Sequence, residues 1–252
     1  MTTSRCSPSS RRAFLRRAAL AGLAGVTVPA LLTPGLSAAD REAAPVKLAV
    51  ITGGHGYDEP NFDKLFRALR GVQTTFQTMD QFVASPVAAR DQFDVVLFYS
   101  MLMPVPKDKA KEALEHLGAT KQGVFVLHHA LLSYPGWQVW TDIVGIADRK
   151  FGYYHDQKLK IHVTETAHPI TRRLNSWEMV DETYTMADAG EGSQILLTTD
   201  HPKSMKTIAW ARQYKKSRVF CFESGHDNQT WVDANFRRVL RRGILWCAQR
   251  IG

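Results

Sequence analysis

The stretch from Val46 to Tyr57 constrains the fold most, because an apolar run ends there in a glycine-rich turn. Strand-type residues that lead into glycines and then into a helical pattern are typical of the first unit of an α/β protein. Ligands of an open, mostly parallel sheet bind outside the carboxyl ends of its strands. His55, which lies in this turn, is therefore the first candidate functional residue; a solvated loop histidine is the alternative.

Strand and helix patterns alternate along the chain after this turn. Apolar residues recur at helical spacing from Phe62 to Leu69 and again after Pro106, and an amphipathic pattern closes the chain. This alternation predicts an α/β fold with a mostly parallel sheet and helices on both faces. We expect some of the later strands to be antiparallel. The predicted strands lie near residues 46–51, 74–79, 94–100, 123–127, 159–164, 195–198, 207–210 and 218–222.

The first 39 residues have the features of an export signal. Arg11 and Arg12 form a twin-arginine motif, an apolar segment covers residues 18–32, and small residues follow at 37–39. A transmembrane helix is the weaker interpretation, because the apolar run is short and contains proline. We therefore predict a signal peptide over 1–39, a single domain over 40–252 and a periplasmic or exported protein that meets the membrane only through its signal.

Charge and cysteine content narrow the function classes. Five arginines belong to the predicted signal, so its removal lowers the formal net charge from +8 to +3. This charge is too small to indicate nucleic-acid binding. Cys221 and Cys247 remain after cleavage and have no C-x-x-C spacing, so we expect buried thiols, with one disulfide as the alternative.

Histidines recur at the ends of three predicted strands. His55 follows the first, His128 and His129 follow the fourth, and His226 follows the last. Because these ends converge in an α/β fold, the imidazoles could share a site with the carboxylate of Glu182. Such a site suits zinc, manganese or iron, or acid–base catalysis near neutral pH.

The choice between the two adjacent histidines rests on strand geometry. Neighbours on a strand point to opposite faces, so one of His128 and His129 should face the crevice, and we favour His129. The predicted metal ligands are therefore His55, His129 and His226, with Glu182 moving the proton. For each histidine alone, an ordinary packing or surface role is the alternative. The remaining predicted surface or packing histidines are His116, His155, His162 and His201.

Several common catalytic motifs are missing from the sequence. It has no G-x-S-x-G elbow, no P-loop and no G-x-G-x-x-G after the first strand, so no nucleotide cofactor is expected. Trp137 has the aromatic surface that could stack on a sugar, with core packing as the alternative.

Eight short motifs, in order and across nearly the whole predicted domain, resemble those of the trehalose-utilisation, or ThuA-like, family. The motifs are T-G-G-H at 52–55, D-V-V-L-F-Y at 94–99, L-H-H-A at 127–130, H-P-I-T at 168–171, D-E-T-Y at 181–184, A-W at 209–210, R-V-F at 218–220 and G-H-D at 225–227. One departure is Tyr214-Lys215-Lys216-Ser217, where the family usually has a glycine-containing turn.

This resemblance implies a class I glutamine amidotransferase-like, flavodoxin-like α/β fold without amidotransferase chemistry. In such folds a nucleophilic cysteine follows the fourth strand, where this chain has His128 and His129. The resemblance also implies a role in bacterial sugar catabolism, in which a partner dehydrogenase makes keto-sugars. The residues that carry over from its motifs as candidate site residues are His55, His128, His129, His226 and Glu182, with Gly54, Tyr99, Tyr184 and Asp227 as candidate substrate contacts.

The sequence thus leads to one main functional hypothesis and one rival. The main hypothesis is an exported enzyme that isomerises, eliminates or hydrolyses a keto-sugar or keto-glycoside, with His129, Glu182 and His128 as catalytic candidates. The rival is a non-catalytic periplasmic sugar-binding or partner domain on the same fold. Bound transition metal and turnover would distinguish the two.

Overall fold

A nine-stranded mixed sheet organises the computed structural model, which describes residues 44–252. The predicted signal peptide over 1–39 lies outside the described residues. The strands are β1 (Val46–Gly53), β2 (Val72–Thr78), β3 (Val95–Ser100), β4 (Gly123–Leu127), β5 (Gly152–Val163), β6 (Trp177–Thr185), β7 (Gln194–Thr198), β8 (Thr207–Tyr214) and β9 (Ser217–Phe222). The helices are α1 (Glu59–Arg67), α2 (Met79–Ala84), α3 (Val87–Arg90), α4 (Asp108–Glu115), α5 (Gln138–Val144), α6 (Asn228–Trp231) and α7 (Ala234–Cys247).

The pairing of the strands changes from parallel to antiparallel at β9. The order of the sheet is β2-β1-β3-β4-β9-β8-β7-β5-β6, with parallel pairing from β2 to β9 and antiparallel pairing from β9 to β6. The α/β class is confirmed, and the sheet is mixed, since its second half consists of antiparallel pairs. The finer assignment as flavodoxin-like stays a prediction.

Helices cover both faces of the parallel half, as the sequence predicted. Alternate residues of β3 point to opposite cores, with Val95 and Leu97 on the side of α1 and α7 and Val96 and Phe98 on the side of α2, α4 and α5. A strand buried on both faces is apolar throughout, which explains the unbroken V-V-L-F run of β3. Among the described residues, no helix is long and apolar enough to cross a membrane.

The chain end closes one face of the sheet. Asp233 is the N-cap of α7, since its side chain accepts a hydrogen bond from the backbone N–H of Phe236 at 2.7 Å. Cys221 in β9 and Cys247 at the end of α7 are buried free thiols, so the expectation of unpaired cysteines is confirmed. Because β1, β4 and β9 run in the same direction in the sheet, their carboxyl ends lie at one common edge.

A bulge in β5 shapes the antiparallel half near that edge. Tyr154 pairs with Thr183 and Gln157 pairs with Asp181, so the two intervening residues of β5 lie opposite Glu182 of β6. Extra residues of this kind bend a strand and redirect a side chain, and such bulges are common beside active sites. Here the bulge begins at His155, four residues before the start of the strand that the sequence pattern indicated at 159–164.

Candidate functional site

The glycine turn after β1 brings the chain close to the end of β3. Gly54 has a φ of +76°, and a Cβ atom at this position would lie 2.0 Å from the backbone oxygen of Met101. Only glycine fits both the left-handed backbone and the close approach. The turn exposes His55, whose ring stacks on His129 at a centroid distance of 4.6 Å. Gly54 thus shapes the turn through its backbone.

The two histidines after β4 do not continue the strand. Residues His128–Leu132 form a 3₁₀ helix, and His128 has a φ of +52°, which is rare for a non-glycine residue and typical of strained positions at functional sites. The strand alternation that favoured His129 over His128 therefore does not apply. Both side chains are buried, and their rings are 5.3 Å apart between centroids.

The His128 ring is fixed by a contact on each nitrogen. Its Nδ1–H donates to the backbone oxygen of Glu223 at 2.6 Å, and Nε2 lies 2.8 Å from the hydroxyl of Tyr184. A second hydrogen bond that orients an imidazole in this way is a regular feature of metal-binding histidines. Burial disfavours the charged imidazole, but Glu182 and the other nearby carboxyls outweigh burial and raise the pKa of His128.

Three donor atoms form a compact triangle beside this ring. His128 Nε2 lies 3.2 Å from His226 Nδ1 and 3.4 Å from Glu182 Oε1, and the third side, from His226 Nδ1 to Glu182 Oε1, is 3.5 Å. We call His128, Glu182 and His226 the triad. Ligands about 2.0–2.1 Å from a tetrahedral metal are separated by about 3.3–3.4 Å, so these spacings match three corners of such a site. The donor set, two imidazoles and one carboxylate, also suits a divalent transition metal.

The triad differs in two members from the predicted ligand set of His55, His129 and His226. Within residues 44–252, the group with metal-binding spacing contains His226 as predicted but has His128 and Glu182 in place of the other two. His55 and His129 instead stack on each other at one side of the triad. The predicted residues and the triad lie at the same edge of the sheet, and the 3₁₀ helix determines how the two adjacent histidines are directed.

Glu182 is held in its ionised form at the centre of the polar network. Burial raises its pKa, but hydrogen bonds from His128 and Tyr184 and the positive charge of the neighbouring imidazoles outweigh burial and set the pKa at about 2. Its second oxygen, Oε2, lies 2.8 Å from Nδ1 of His155. His155 was predicted to be a surface or packing residue; its side chain is 55% exposed, and the β5 bulge places it in the cavity wall beside Glu182.

A second group of acids lies on the core side of His128. Asp181 is buried and accepts hydrogen bonds from the backbone N–H groups of Gly225 and His226 at 2.8 and 3.1 Å, which fixes the loop after β9. Burial and the charge of Asp181 raise the pKa of Glu223 to about 8. One oxygen of Glu223 accepts from the backbone N–H of Tyr184 at 2.9 Å, and the other has no partner among the described residues.

His129 is packed among aromatic rings. It lies 4.2 Å from the ring of Tyr99 between centroids, and neither of its ring nitrogens has a hydrogen-bond partner in the described part of the chain. Burial lowers the pKa of His129 well below its usual value, and the nearby charges of His128 and His55 lower it further. Tyr99, a predicted substrate contact, uses its hydroxyl to bind the backbone oxygens of Gly225 and His226.

A cavity of about 270 Å³ opens beside the triad. Its walls include Glu182 and Tyr184. Tyr184, which was predicted to contact substrate, therefore lies in a cavity wall. Trp137 is not among the lining residues and packs near Tyr134 on the α5 side of the sheet. The side chain of Asp227 caps α6 by accepting from the backbone N–H of Gln229 at 2.8 Å. The lining residues are His55, Met101, Leu132, Phe151, Tyr153, His155, Glu182 and Tyr184.

Comparison with known proteins identifies the family. A family model described as trehalose utilisation matches residues 47–247. The chain belongs to the ThuA family. Membership indicates a carbohydrate-related role and confirms the resemblance drawn from the eight sequence motifs. A search of curated proteins finds no match.

Solved structures share the fold of this ThuA family member. A ThuA-like protein from Parabacteroides merdae is 17% identical with a TM-score of 0.68, and the match covers 82% of this chain and 91% of that chain. A ThuA-like protein from Bacteroides uniformis is 18% identical with a TM-score of 0.62, covering 81% and 92%. A β-galactosidase from Bacillus circulans is 14% identical with a TM-score of 0.52, covering 80% of this chain and 31% of that chain. At these identities the similarity shows the fold alone.

Proposed function

We propose that this ThuA family member is an enzyme that transforms a keto-sugar or keto-glycoside at the triad, by isomerisation, elimination or hydrolysis. The observation that carries the proposal is the triangle of two imidazole nitrogens and one carboxylate oxygen, 3.2 to 3.5 Å apart, beside a cavity. The family's description as trehalose utilisation supports a carbohydrate as the substrate.

The cavity has the composition of a sugar site. The rings of Phe151, Tyr153 and Tyr184 provide apolar surface, and the polar groups of Glu182 and His155 converge beside them. Pockets that combine aromatic walls with a few placed polar groups are typical of small-molecule sites. Tyr153 is 58% exposed and would cover the apolar face of a sugar ring that enters the cavity.

The triad would hold a divalent transition metal, with zinc, manganese and iron as the candidates. His128 and His226 supply nitrogen, and Glu182 supplies oxygen. The hydrogen bond from His128 Nδ1 to the backbone oxygen of Glu223 keeps Nε2 directed at the other two members of the triad. Such a cation would polarise a substrate carbonyl or lower the pKa of a bound water.

The surrounding side chains would orient the substrate and move the proton. Glu182 faces His128 and His226 through Oε1 and orients His155 through Oε2, so His155 Nε2 is the nitrogen left to exchange a proton with the substrate. The His155 side chain is 55% exposed, which connects this nitrogen to solvent. Histidine is the side chain that most often acts as a general acid or base in enzymes.

A non-catalytic sugar-binding or partner domain is the second candidate. The exposed ring of Tyr153 in the cavity wall favours it, since an aromatic side chain that presents a face to solvent can bind a sugar without any reaction. In this case the protein would bind sugar with the metal present and convert none.

The proposal is tested by metal analysis combined with a turnover assay on the full chain. We expect near-stoichiometric metal in the wild type and less than about one tenth of it in His128→Ala, because removing a ligand usually lowers metal affinity by more than the 10–100-fold of an outer contact. His162→Ala is the matched control, since His162 lies on β5 away from the triad and pairs with Asp200. Metal retained in His128→Ala contradicts the proposal, and sugar binding without turnover in loaded protein favours the second candidate.

Location and partners belong to the same proposal. We place the protein in the periplasm through twin-arginine export, with a small carbohydrate as ligand and a sugar dehydrogenase that forms the keto group upstream. Replacing Arg11 and Arg12 by lysine should retain the protein in the cytoplasm. Cell fractionation measures this, and unchanged export would contradict the assigned route.

A further inference from the structure

Arginine side chains cover the outer surface of α7, the helix that closes the chain. The inner side of this helix is apolar and packs against the sheet, and no residue of α7 is acidic. The loop between β5 and β6 adds two exposed arginines next to the helix. The five residues that we call the arginine face are Arg172, Arg173, Arg238, Arg241 and Arg242. Within residues 44–252, none of the five forms a salt bridge with an acidic side chain.

Hydrogen bonds to backbone oxygens hold the arginine face together. Arg242 donates from Nη1 to the backbone oxygens of Ile170 and Arg172 at 3.1 and 2.8 Å, which joins the β5–β6 loop to α7. Arg241 donates from Nε to the backbone oxygen of Arg70 at 2.7 Å, which joins the turn between α1 and β2 to the same helix. Separate segments of the chain therefore bring their arginines to one surface.

The proximity of these positive charges costs stability. Burial lowers the pKa of Arg242, and the charges of the other four members of the arginine face lower it further. Arg238 and Arg242 are also four residues apart on α7, and like charges at this spacing destabilise a helix. The helix dipole favours cations only near the last turn, whereas α7 continues to Cys247. An anion bound at this surface would offset the repulsion.

The arginine face lies beside the point at which the chain enters the domain. The backbone N–H of Val46, the first residue of β1, donates to the oxygen of Gly71 at 2.9 Å. Gly71 directly follows Arg70, whose own oxygen binds Arg241. Residues 1–43, which contain the predicted export signal, join the domain just before β1. A signal that engages a membrane therefore tethers the domain next to the arginine face.

We infer that the arginine face docks the folded domain onto a membrane surface of anionic phospholipid headgroups. Guanidinium groups bind phosphate oxygens through paired hydrogen bonds, and each basic side chain near an anionic bilayer adds to the attraction. The small net charge of +3 on the predicted domain and the entry of the signal beside this surface favour lipid over nucleic acid. This contact adds to the one that the sequence predicted for the signal alone.

The test measures the binding of the full chain to vesicles of two compositions by flotation. One set contains about 40% phosphatidylglycerol in phosphatidylcholine, and the other contains phosphatidylcholine alone. The glutamine variant combines Arg172→Gln, Arg173→Gln and Arg238→Gln, which alter exposed side chains. We expect its affinity for the anionic vesicles to fall about tenfold or more and its binding to phosphatidylcholine to stay unchanged. The signal is the same in every variant, so differences among them report the arginine face.

Two further variants control for net charge and for packing. The combination Lys107→Gln, Lys109→Gln and Lys111→Gln removes the same charge at α4, on the opposite face of the sheet. It should change the affinity for anionic vesicles by less than about twofold, because the headgroup potential decays within a Debye length. Replacing the three arginines of the glutamine variant by lysine keeps the charge and should retain most of the binding.

Several outcomes would overturn the inference. An unchanged glutamine variant would leave the signal as the membrane contact, and equal losses in the glutamine variant and the α4 control would assign the binding to net charge. An equal loss in the lysine replacement would assign it to altered packing. A short DNA duplex that binds the wild type but not the glutamine variant, with vesicle binding unchanged, would assign the surface to nucleic acid. Metal content and turnover should match the wild type throughout, so the proposed function is tested separately.

Discussion

The two sides of the His128 ring hold carboxyl groups in opposite states. On the cavity side, Glu182 has a pKa of about 2 and is ionised; on the core side, Glu223 has a pKa of about 8 and stays protonated near neutral pH. Both side chains are buried, so burial alone cannot explain the difference. It arises from their neighbours, because Glu182 faces imidazoles, whereas Glu223 lies beside the carboxyl of Asp181.

The opposite ionisation states distinguish Glu182, which could bind a cation, from Glu223, which supports the site from the core side. An ionised carboxylate with two imidazole nitrogens is what a divalent cation requires. A neutral carboxyl on the opposite side can accept the N–H of Tyr184 without placing another negative charge next to Asp181. Pairs of titratable groups whose surroundings push their pKa values apart are a regular sign of assigned roles.

The largest predicted effect concerns the core side. Glu223→Gln should stabilise the protein at high pH by up to about 5 kcal/mol at pH 9, because each pKa unit corresponds to about 1.36 kcal/mol and the wild type must ionise a buried acid. The folded-state pKa is raised, so wild-type stability falls as pH rises from the unfolded value of 4.5. At pH 5 the two proteins should differ by less than about 1 kcal/mol. Urea unfolding across this range measures the difference, and a constant difference at all pH values would contradict the raised pKa.

The next effect has the opposite pH dependence and concerns the cavity side. Glu182→Gln should destabilise metal-free protein by about 3 kcal/mol at pH 7, since the lowered pKa of Glu182 makes its ionised form a stabilising group. This contribution is present above the unfolded pKa of 4.5 and is lost as pH falls through about 2. The difference from the wild type should therefore shrink between about pH 5 and pH 2. Urea unfolding in the presence of a chelator measures the difference in unfolding free energy. A difference that does not change with pH would indicate that Glu182 contributes through packing and not through its charge.

The smallest effect concerns the ring next to His128. His129→Leu should leave metal content unchanged and stabilise the protein by about 1 kcal/mol, because it replaces buried, unpartnered nitrogens with apolar surface of similar size. Thermal unfolding and metal analysis measure the two properties. Loss of bound metal in this variant would show that His129, as the strand pattern predicted, is a ligand.

Sequence patterns were sufficient to locate the edge of the sheet that carries the site. The apolar runs before His55, His128 and His226 identified β1, β4 and β9, whose carboxyl ends meet because all three strands run parallel. The D-E-T-Y motif supplied Glu182. These predictions depended only on the type and order of the elements, which periodicity indicates well.

The selection of side chains within that edge required tertiary geometry. The preference for His129 assumed a strand, but residues 128–132 turn into a 3₁₀ helix with a left-handed residue at His128. His155 was missed because the predicted strand began at Leu159, whereas β5 begins at Gly152 and bulges opposite Glu182. Its one sequence signal is its position directly after Tyr153 and Tyr154, which is also compatible with an exposed strand end. Trp137 looked equally suitable as a sugar contact and packs against the core.

The central claim is that the triad holds a divalent metal, and anomalous diffraction tests it most directly. Crystals of the full chain grown with zinc would be measured above and below the zinc absorption edge. We expect one anomalous peak within about 2.0–2.2 Å of His128 Nε2, His226 Nδ1 and Glu182 Oε1, and no such peak in Glu182→Gln crystals treated in the same way. A peak between His55 and His129, or zinc-saturated crystals without a peak at the triad, would contradict it.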